Sequence, residues 1–139
     1  MKGRGFTLVE LAVVVVIIGV PAAFAVPTFI SSVERLRVAE AFNYLSAVQA
    51  AQERYHARRG TYCDVITDLD IKFAAPHNFS VELIAAGSTT SLEDSWTLTL
   101  TRTGASAGYG EYTVVWNEEA FDTVAGNIVA IPAINPMET

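Results

Sequence analysis

Glu10 is the only charged residue between Gly5 and Val33, in a stretch made mostly of Val, Ile, Ala, Leu and Phe. An ionised carboxylate near the middle of a membrane-spanning helix costs ~2.5–3.5 kcal/mol on insertion scales, so a compensating charge is expected. The alternative is a Glu near a helix end that lies among lipid headgroups. Glu10 is therefore the first candidate for a functional side chain.

The rest of the sequence carries no recognisable catalytic pattern. It contains no Walker loop and no GxGxxG, HExxH or GxSxG motif, and twenty residues separate its two histidines without an obvious ligand spacing. Asp64, Asp68 and Asp70 supply carboxylates of the kind that calcium prefers, although a solvated acidic loop explains them more simply. We therefore predict neither an enzyme nor a bound cofactor or metal.

The charge distribution argues against a nucleic-acid partner. The formal net charge is −6, and acidic residues are spread through the C-terminal two-thirds of the chain. The basic cluster consists of Arg54, His56, Arg58 and Arg59. A solvated helix end, where cations complement the negative end of the helix dipole, is favoured over an anion- or DNA-contacting patch.

Sulfur and indole side chains are expected to have structural roles. Cys63 is the only cysteine, so it forms no internal disulfide, and a small, partly buried side chain is expected there. Trp96 and Trp116 could stack on a ligand. Their positions in alternating segments favour packing in the core instead.

The apolar segment from Phe6 to Ile30 has the length of a membrane-spanning helix. Its 25 residues reach ~37 Å as a helix, against a hydrocarbon layer of ~30 Å. Pro21 and Pro27 are predicted to bend this helix, because proline lacks the amide donor and clashes with the preceding turn.

The helix is predicted to continue beyond the apolar segment and to stop at Gly60. From about Ser31, hydrophobic residues recur at helical spacing on one face: Val38, Ala41, Phe42, Leu45, Val48 and Tyr55. Charged residues are mostly assigned to the other faces: Glu34, Arg37, Glu40, Glu53 and Arg54. Residues 61–78 lack a clean periodicity and are predicted to form a loop.

The C-terminal part predicts a small antiparallel sheet. Residues 96–102 and 111–117 alternate with a period of two and flank a Gly-rich turn, which is typical of a β-hairpin. Residues 79–85 are a predicted third strand, and residues 127–131 a weaker fourth strand or an ordered tail. The predicted fold class is α+β, with one long helix packed against a sheet of three to four strands.

The first ten residues combine more features than an ordinary membrane anchor requires. A short basic leader precedes a Phe, and a carboxylate follows inside the apolar run: Met1-Lys-Gly-Arg-Gly5 and then Phe6-Thr-Leu-Val-Glu10. In these features the chain resembles the type IV prepilin family, which includes the pseudopilins of type II secretion. The match covers roughly residues 2–27, followed by the helix and sheet as an architecture.

The resemblance implies a defined maturation. A prepilin peptidase would cut between Gly5 and Phe6 and would methylate the new amine of Phe6, which removes five of the 139 residues. Glu10 matches the fifth mature residue of the family, and Pro27 matches its helix-bending proline. Pro21 is a departure, since it stands where the family usually has an aliphatic residue.

The resemblance also implies a location and partners. Residues 1–5 would be a leader, residues 6–30 a transmembrane and assembly helix, and residues 31–139 the second half of the helix with a globular head. The precursor would lie in the bacterial inner membrane, where it would meet the prepilin peptidase and methyltransferase and the assembly platform. Mature copies would join other pilins in an extracellular pilus or a periplasmic pseudopilus.

In such a filament, the Phe6 ammonium of a neighbouring copy would compensate Glu10. At ~4 Å and an effective dielectric constant of ~20 the pair gains about 4 kcal/mol, which is similar to the insertion cost. A neighbour in the wrong stagger would leave both charges unpaired. The pair is therefore expected to set the register between copies.

Two alternatives to a pilus subunit stay open. One is a type II secretion pseudopilin, although the major pseudopilins typically carry a Gly- and Asp-rich calcium loop that residues 125–139 lack. The other is a secreted soluble protein with an ordinary signal peptide, cleaved after Ala23-Phe24-Ala25. Its mature chain would begin at Val26 instead of Phe6. The Glu inside its apolar region weighs against this second alternative.

Overall fold

The computed structural model of the protein describes residues 5–106 and 108–138. Its dominant element is one helix, α1, which extends over 52 residues from Leu8 to Arg59. The helix begins after the N-cap residue Thr7 and ends at Gly60. The φ angle of Gly60 is 75°, in the left-handed region that Gly adopts without steric cost, so the predicted stop is confirmed.

Two prolines lie inside α1, and the helix continues through both Pro21 and Pro27. Each proline leaves the carbonyl four residues earlier without its usual amide donor. Close to Pro27, the Thr28 hydroxyl donates to the carbonyl oxygen of Phe24 at 3.1 Å, a side-chain bond of the kind that accompanies bent helices. The bends themselves stay a prediction.

The two halves of α1 differ in burial. Every residue from Gly5 to Ile30 is exposed, and the first buried residue in the described part of the chain is Glu34. We call residues 6–30 the stem and residues 31–138 the head. The most apolar window of α1 has a mean hydropathy of 2.6 and no buried residue, so α1 is long and apolar enough to cross a membrane.

The head contains a four-stranded antiparallel sheet centred on β3. β3 (Trp96–Arg102) pairs on one side with β4 (Thr113–Asn117), as predicted for the hairpin. On its other side it pairs with β1 (Phe79–Val81) and β2 (Ala85–Ala86). Residues along β3 alternate strictly between buried and half-buried, as the period of two predicted.

The prediction of one continuous strand over residues 79–85 is wrong, because β1 and β2 occupy that region as two short strands. Val81 lies opposite Leu100, whereas Ala85 lies opposite Thr97, so four steps on this side match three steps along β3. One extra residue is therefore inserted between β1 and β2. This two-against-one arrangement is a β-bulge.

The bulge changes which side chain faces the core. Continuous alternation from Phe79, which is buried, would place Leu83 on the inner face. Because of the extra residue, Ile84 faces inward instead and is only 5% exposed, while Leu83 is 86% exposed.

Residues 127–131 form an ordered tail rather than a strand. Asn127–Ala130 is a short 3-10 helix, so the strand interpretation is wrong. Gly126 precedes it with a φ angle of 84°, and a Cβ at this residue would lie 2.9 Å from the carbonyl oxygen of Thr113. Ile128 is fully buried and anchors the tail in the core.

The hydrophobic core lies between the second half of α1 and the inner face of the sheet. Trp96 is fully buried and Trp116 is 7% exposed, so their predicted core role is confirmed. Cys63 is 2% exposed and is also part of the core. Between α1 and β1, the predicted loop contains one short 3-10 helix, Ile66–Asp68.

Candidate functional site

Glu10 lies in the first turn of α1, next to the N-cap residue Thr7. The backbone N–H and the hydroxyl of Thr7 both donate to Oε2 of Glu10, at 2.9 and 2.8 Å. In return, the backbone N–H of Glu10 donates to the Thr7 hydroxyl at 3.2 Å. This reciprocal capping box, with a negative charge at the positive end of the helix dipole, places Glu10 at a helix end and not near its middle.

Gly5 and Phe6 precede the helix. The Phe6 side chain is 81% exposed, and a Cβ added at Gly5 would meet no atom within 4 Å. The described fold therefore imposes no steric need for Gly at this position, so any such need belongs to an enzyme that binds the segment. Residues 1–4 of the predicted leader lie outside the described residues.

The stem exposes apolar side chains around its whole circumference. Val16, Ile17 and Ile18 are consecutive, so they point in directions ~100° apart around the helix axis. They are 63%, 66% and 61% exposed. A helix that is apolar on all sides is stable only when lipid or other protein covers it.

Glu34 lies at the neck, the junction of stem and head, and it is fully buried. Arg102 donates from Nε to Oε1 of Glu34 at 2.6 Å and from Nη2 to Oε2 at 3.2 Å. The Tyr112 hydroxyl donates to Oε1 at 2.7 Å, and Nη1 of Arg37 donates to Oε2 at 3.0 Å. Each carboxylate oxygen thus receives two hydrogen bonds.

Arg102 extends this neck network into the rest of the head. Its guanidinium also donates to the carbonyl oxygens of Asn78, Thr103 and Ala105. Its central carbon lies 5.8 Å from the centre of the Phe79 ring, within cation–π range. One side chain therefore connects α1 with the end of β3, the residue before β1 and the β3–β4 turn.

Burial and hydrogen bonding act in opposite directions on Glu34. Burial raises the pKa of its carboxyl, whereas the hydrogen bonds from Arg102 and Tyr112 and the charge of Arg102 lower it, and the net shift is downward. Burial also raises the pKa of Tyr112, and its hydrogen bond to Glu34 adds to that shift. Glu34 is therefore ionised at neutral pH, and Tyr112 is its neutral donor.

The sequence prediction that placed Glu34 mostly outside the buried face is wrong. Glu34 precedes Val38 by four residues and Leu45 by eleven, which puts it on the same helix stripe. Arg102 follows Leu100 by two residues and shares its face of β3. The sequence signal for this ion pair was that two opposite charges, Glu34 and Arg102, occupy positions on the buried faces of α1 and β3.

Two glutamines tie α1 to the other side of the head. The buried Gln52 side chain donates to the carbonyl oxygen of Cys63 at 2.7 Å and accepts from its N–H at 2.8 Å. Gln49 accepts from the indole N–H of Trp116 at 2.9 Å and donates to the carbonyl oxygen of Glu118 at 3.0 Å. These bonds connect α1 with the loop that follows it and with the end of β4.

The basic residues near the end of α1 make local contacts. Nε and Nη2 of Arg54 donate to the two carboxylate oxygens of Asp70 at 3.1 and 2.8 Å, which lowers the pKa of Asp70. The Arg59 guanidinium lies 5.7 Å from the centre of the Tyr55 ring. In the described part of the chain, no group of three or more His, Cys, Asp and Glu residues is placed to hold a metal ion.

Comparison with known proteins agrees with the N-terminal features. The family model described as a prokaryotic N-terminal methylation motif matches residues 1–26. The type IV narrow pilus major component of Thermus thermophilus is 36% identical over 97 residues, which are 70% of this chain and 77% of that protein. The type II secretion system core protein G of Vibrio cholerae is 32% identical over 77 residues, or 55% of this chain and 53% of that protein.

Other relatives match over shorter stretches. The type IV major pilin protein of Myxococcus xanthus is 40% identical over 68 residues, which cover 49% of this chain but only 31% of that protein. The fimbrial protein of Eikenella corrodens is matched over 39% of its length. The chain thus spans about a third of the length of these two relatives. No solved structure matches the chain significantly.

Proposed function

This chain belongs to the type IV pilin family, and on that basis we propose that it is a structural subunit of a type IV pilus. The observation that carries the proposal is the stem, which is exposed and apolar on every side while the head buries its own core. Such a stem needs lipid before assembly and other subunits afterwards. The membrane that holds the unassembled subunit would supply the lipid, and a filament of many copies with homologous pilins would supply the neighbouring subunits.

We propose that maturation takes place between Gly5 and Phe6. The match to the methylation motif over residues 1–26 supports cleavage there and methylation of the Phe6 amine. The exposed Phe6 and the open surroundings of Gly5 leave the bond accessible to a prepilin peptidase in the inner membrane. Glycine lets the backbone approach the enzyme closely because it has no Cβ.

Assembly is proposed to pair Glu10 with the Phe6 amine of another copy. Glu10 lies in the first turn of the helix that carries the apolar stem, so its carboxylate lies near the Phe6 end of its own chain. A copy shifted along the filament could bring its amine against that carboxylate. The pair would form in an apolar environment, where an unpaired charge is costly, and it would favour one stagger.

The N-terminal residue of the mature protein tests this proposal. Mass spectrometry of protein from membranes and sheared filaments should find a methylated Phe6 at the N-terminus. Replacement of Gly5 by Leu should leave the precursor uncut in the membrane, whereas the matched replacement Gly3→Leu in the leader should still be processed. A mature chain beginning at Val26 would show an ordinary signal peptide and would refute the proposal.

A second candidate function is that of a pseudopilin, which the similarity to the secretion core protein G supports. Deletion of the gene separates the two functions. Loss of surface filaments with normal protein secretion identifies a pilus subunit. Loss of secretion with normal surface filaments identifies a pseudopilin.

A further inference from the structure

The neck network occupies the point where the stem first contacts the head. Glu34 is the first buried residue in the described part of the chain, and none of the 26 residues from Gly5 to Ile30 is buried. All other buried residues of α1 lie farther along the helix, from Val38 to Gln52. The ion pair of Glu34 and Arg102 therefore joins stem and head at the end of the head nearest the stem.

The stability of the fold does not by itself account for this ion pair. A buried pair must be desolvated, and its replacement by apolar side chains of similar volume is often neutral or stabilising. The hydrophobic effect that holds α1 against the sheet is not directional, since it depends on the apolar area removed from water. The neck network is directional, because each of the two oxygens of Glu34 receives two donors at 2.6–3.2 Å.

We propose that Glu34 and Arg102 are a positioning pair that fixes the rotation of the sheet about α1, so that successive copies present their heads in one orientation. This inference rests on the proposed function as a filament subunit. Arg102 suits the role because it reaches the β3–β4 turn and the residue before β1 as well as Glu34. A rotated head would break several of these bonds together.

The position of the pair connects it to assembly. Glu10 and Glu34 are 24 residues apart, which is ~36 Å along a helix. If Glu10 sets the register between copies, only α1 connects that register to the sheet. The rotation of the sheet about α1 therefore decides how the heads of neighbouring copies contact each other. The directional ion pair of Glu34 and Arg102 would keep this rotation the same in every copy.

The first experiment measures head orientation in the full-length protein in detergent. The buried Cys63 is replaced by Ala, and spin labels are attached at Ser32→Cys on α1 and Val124→Cys on the head, where Val124 is 92% exposed. The distance distribution between the labels should be narrow. In the apolar variant Glu34→Met, Arg102→Met, Tyr112→Phe it should broaden or shift, although the unfolding temperature stays equal or rises.

The second experiment measures filaments with each variant as the only copy in cells. The apolar variant should still be processed after Gly5, but sheared filaments should fall about tenfold, which corresponds to ~1.4 kcal/mol in assembly. The matched control is Val48→Ala, which leaves a cavity in the core away from the neck. It should unfold at a lower temperature yet keep the narrow distribution and most of the filaments.

A folded apolar variant with the wild-type distance distribution, or with the wild-type filament yield, would overturn the inference. Should that variant fail to fold, Arg102→Lys decides, because it keeps the charge and loses the two-pronged geometry. An Arg102→Lys protein with the wild-type width of the distance distribution and the wild-type filament yield would also overturn the inference. If the unaltered protein is not cut after Gly5 or forms no filaments, the proposed function fails instead, whatever the labels report.

Discussion

The carboxylate of Glu10 has room for a partner in its own chain and one in another copy. Thr7 directs both of its donors to the same oxygen, Oε2. Within the described residues, Oε1 accepts no hydrogen bond, and we propose that the incoming amine of another copy binds there. The cap orients the carboxylate without neutralising it, since both donors are uncharged. Pairing with the Phe6 amine of a neighbour can therefore add to the cap instead of replacing it.

Replacing Glu10 with Gln tests this pairing at the level of one residue. The variant keeps the shape and removes the charge, so insertion and cleavage after Gly5 should continue. Filaments should be strongly reduced, because the Phe6 amine would be buried without its counter-charge at a cost of ~3–5 kcal/mol. The readout is the ratio of membrane-bound protein to sheared filaments.

The matched control for this variant is Glu10→Asp, which keeps the charge and should retain more assembly than Glu10→Gln. A normal filament yield from Glu10→Gln as the only copy would mean that Glu10 does not set the stagger.

Glu34 predicts a pH dependence for the stability of the head. Its folded pKa lies below the ordinary value of 4.5, so its contribution is fully present above that value. The contribution is lost as the pH falls through the lower, folded pKa, because the unfolded chain binds the proton more readily. Urea unfolding between pH 7 and pH 3 should show a falling free energy of unfolding.

The apolar variant of the neck is the control for this measurement. It lacks the carboxyl and should lose part of the pH dependence, while the part due to Asp70 and Asp122, whose pKa values are also lowered, remains. An equal pH dependence of the free energy of unfolding in both proteins would show that the folded state does not stabilise the ionised carboxyl of Glu34.

Among the elements, β3 and β4 were predictable because each alternates without interruption. The segment before them was not, since Val81, Leu83 and Ile84 are all apolar and allow either of two registers. Which register forms depends on the partner strand and on the fit of Ile84 into the core. The burial of Glu34 was not predicted for a related reason. Helical spacing places Glu34 on the same face as the buried residues, but its partner, Arg102, lies on a strand that is distant in the sequence.

Gly126 tests how the tail is held against the sheet. Replacement by Ala would force a side chain into a φ of 84° and against the carbonyl oxygen of Thr113 at 2.9 Å. The positive φ alone costs ~1–2 kcal/mol, and the contact adds to it. Gly104→Ala is the matched control, because its φ is 75° but its Cβ would meet no atom within 4 Å.

Chemical denaturation of the head should rank wild type above Gly104→Ala and Gly104→Ala above Gly126→Ala. If the two variants are equally stable, the tail does not pack against Thr113 as described.

At the scale of the whole molecule, one helix has an exposed apolar half and a half that packs in the core of the head. Among the described residues, every buried hydrophobic side chain lies at Val38 or beyond it, so the stem contributes no side chain to the core. The sequence predicted this division because a block without charge changes to an amphipathic pattern near Ser31. The sequence did not predict that the first buried residue of the head is charged, since a charged residue at such a boundary is ordinarily expected to face solvent.

Two truncated proteins that differ by five residues test where the head begins. A protein that starts at Ser31 keeps Glu34 and every other buried residue, so it should be soluble and should unfold in one cooperative transition. A protein that starts at Leu36 lacks Glu34 and leaves Arg102 buried without its counter-charge. Removing one partner of a buried pair costs ~3–5 kcal/mol, a large share of the stability of a small domain.

Circular dichroism with urea denaturation compares the two truncated proteins. The longer one should be the more stable by about that amount at neutral pH, and the difference should shrink as the pH falls below the ordinary carboxyl pKa of 4.5, because the Glu34 carboxyl of the unfolded chain then binds a proton. An unfolded protein beginning at Ser31 would show that the head needs the stem. Equal stability of the two would show that the ion pair at the neck does not contribute to the fold, and the head would then begin at Val38, the first residue of its apolar core.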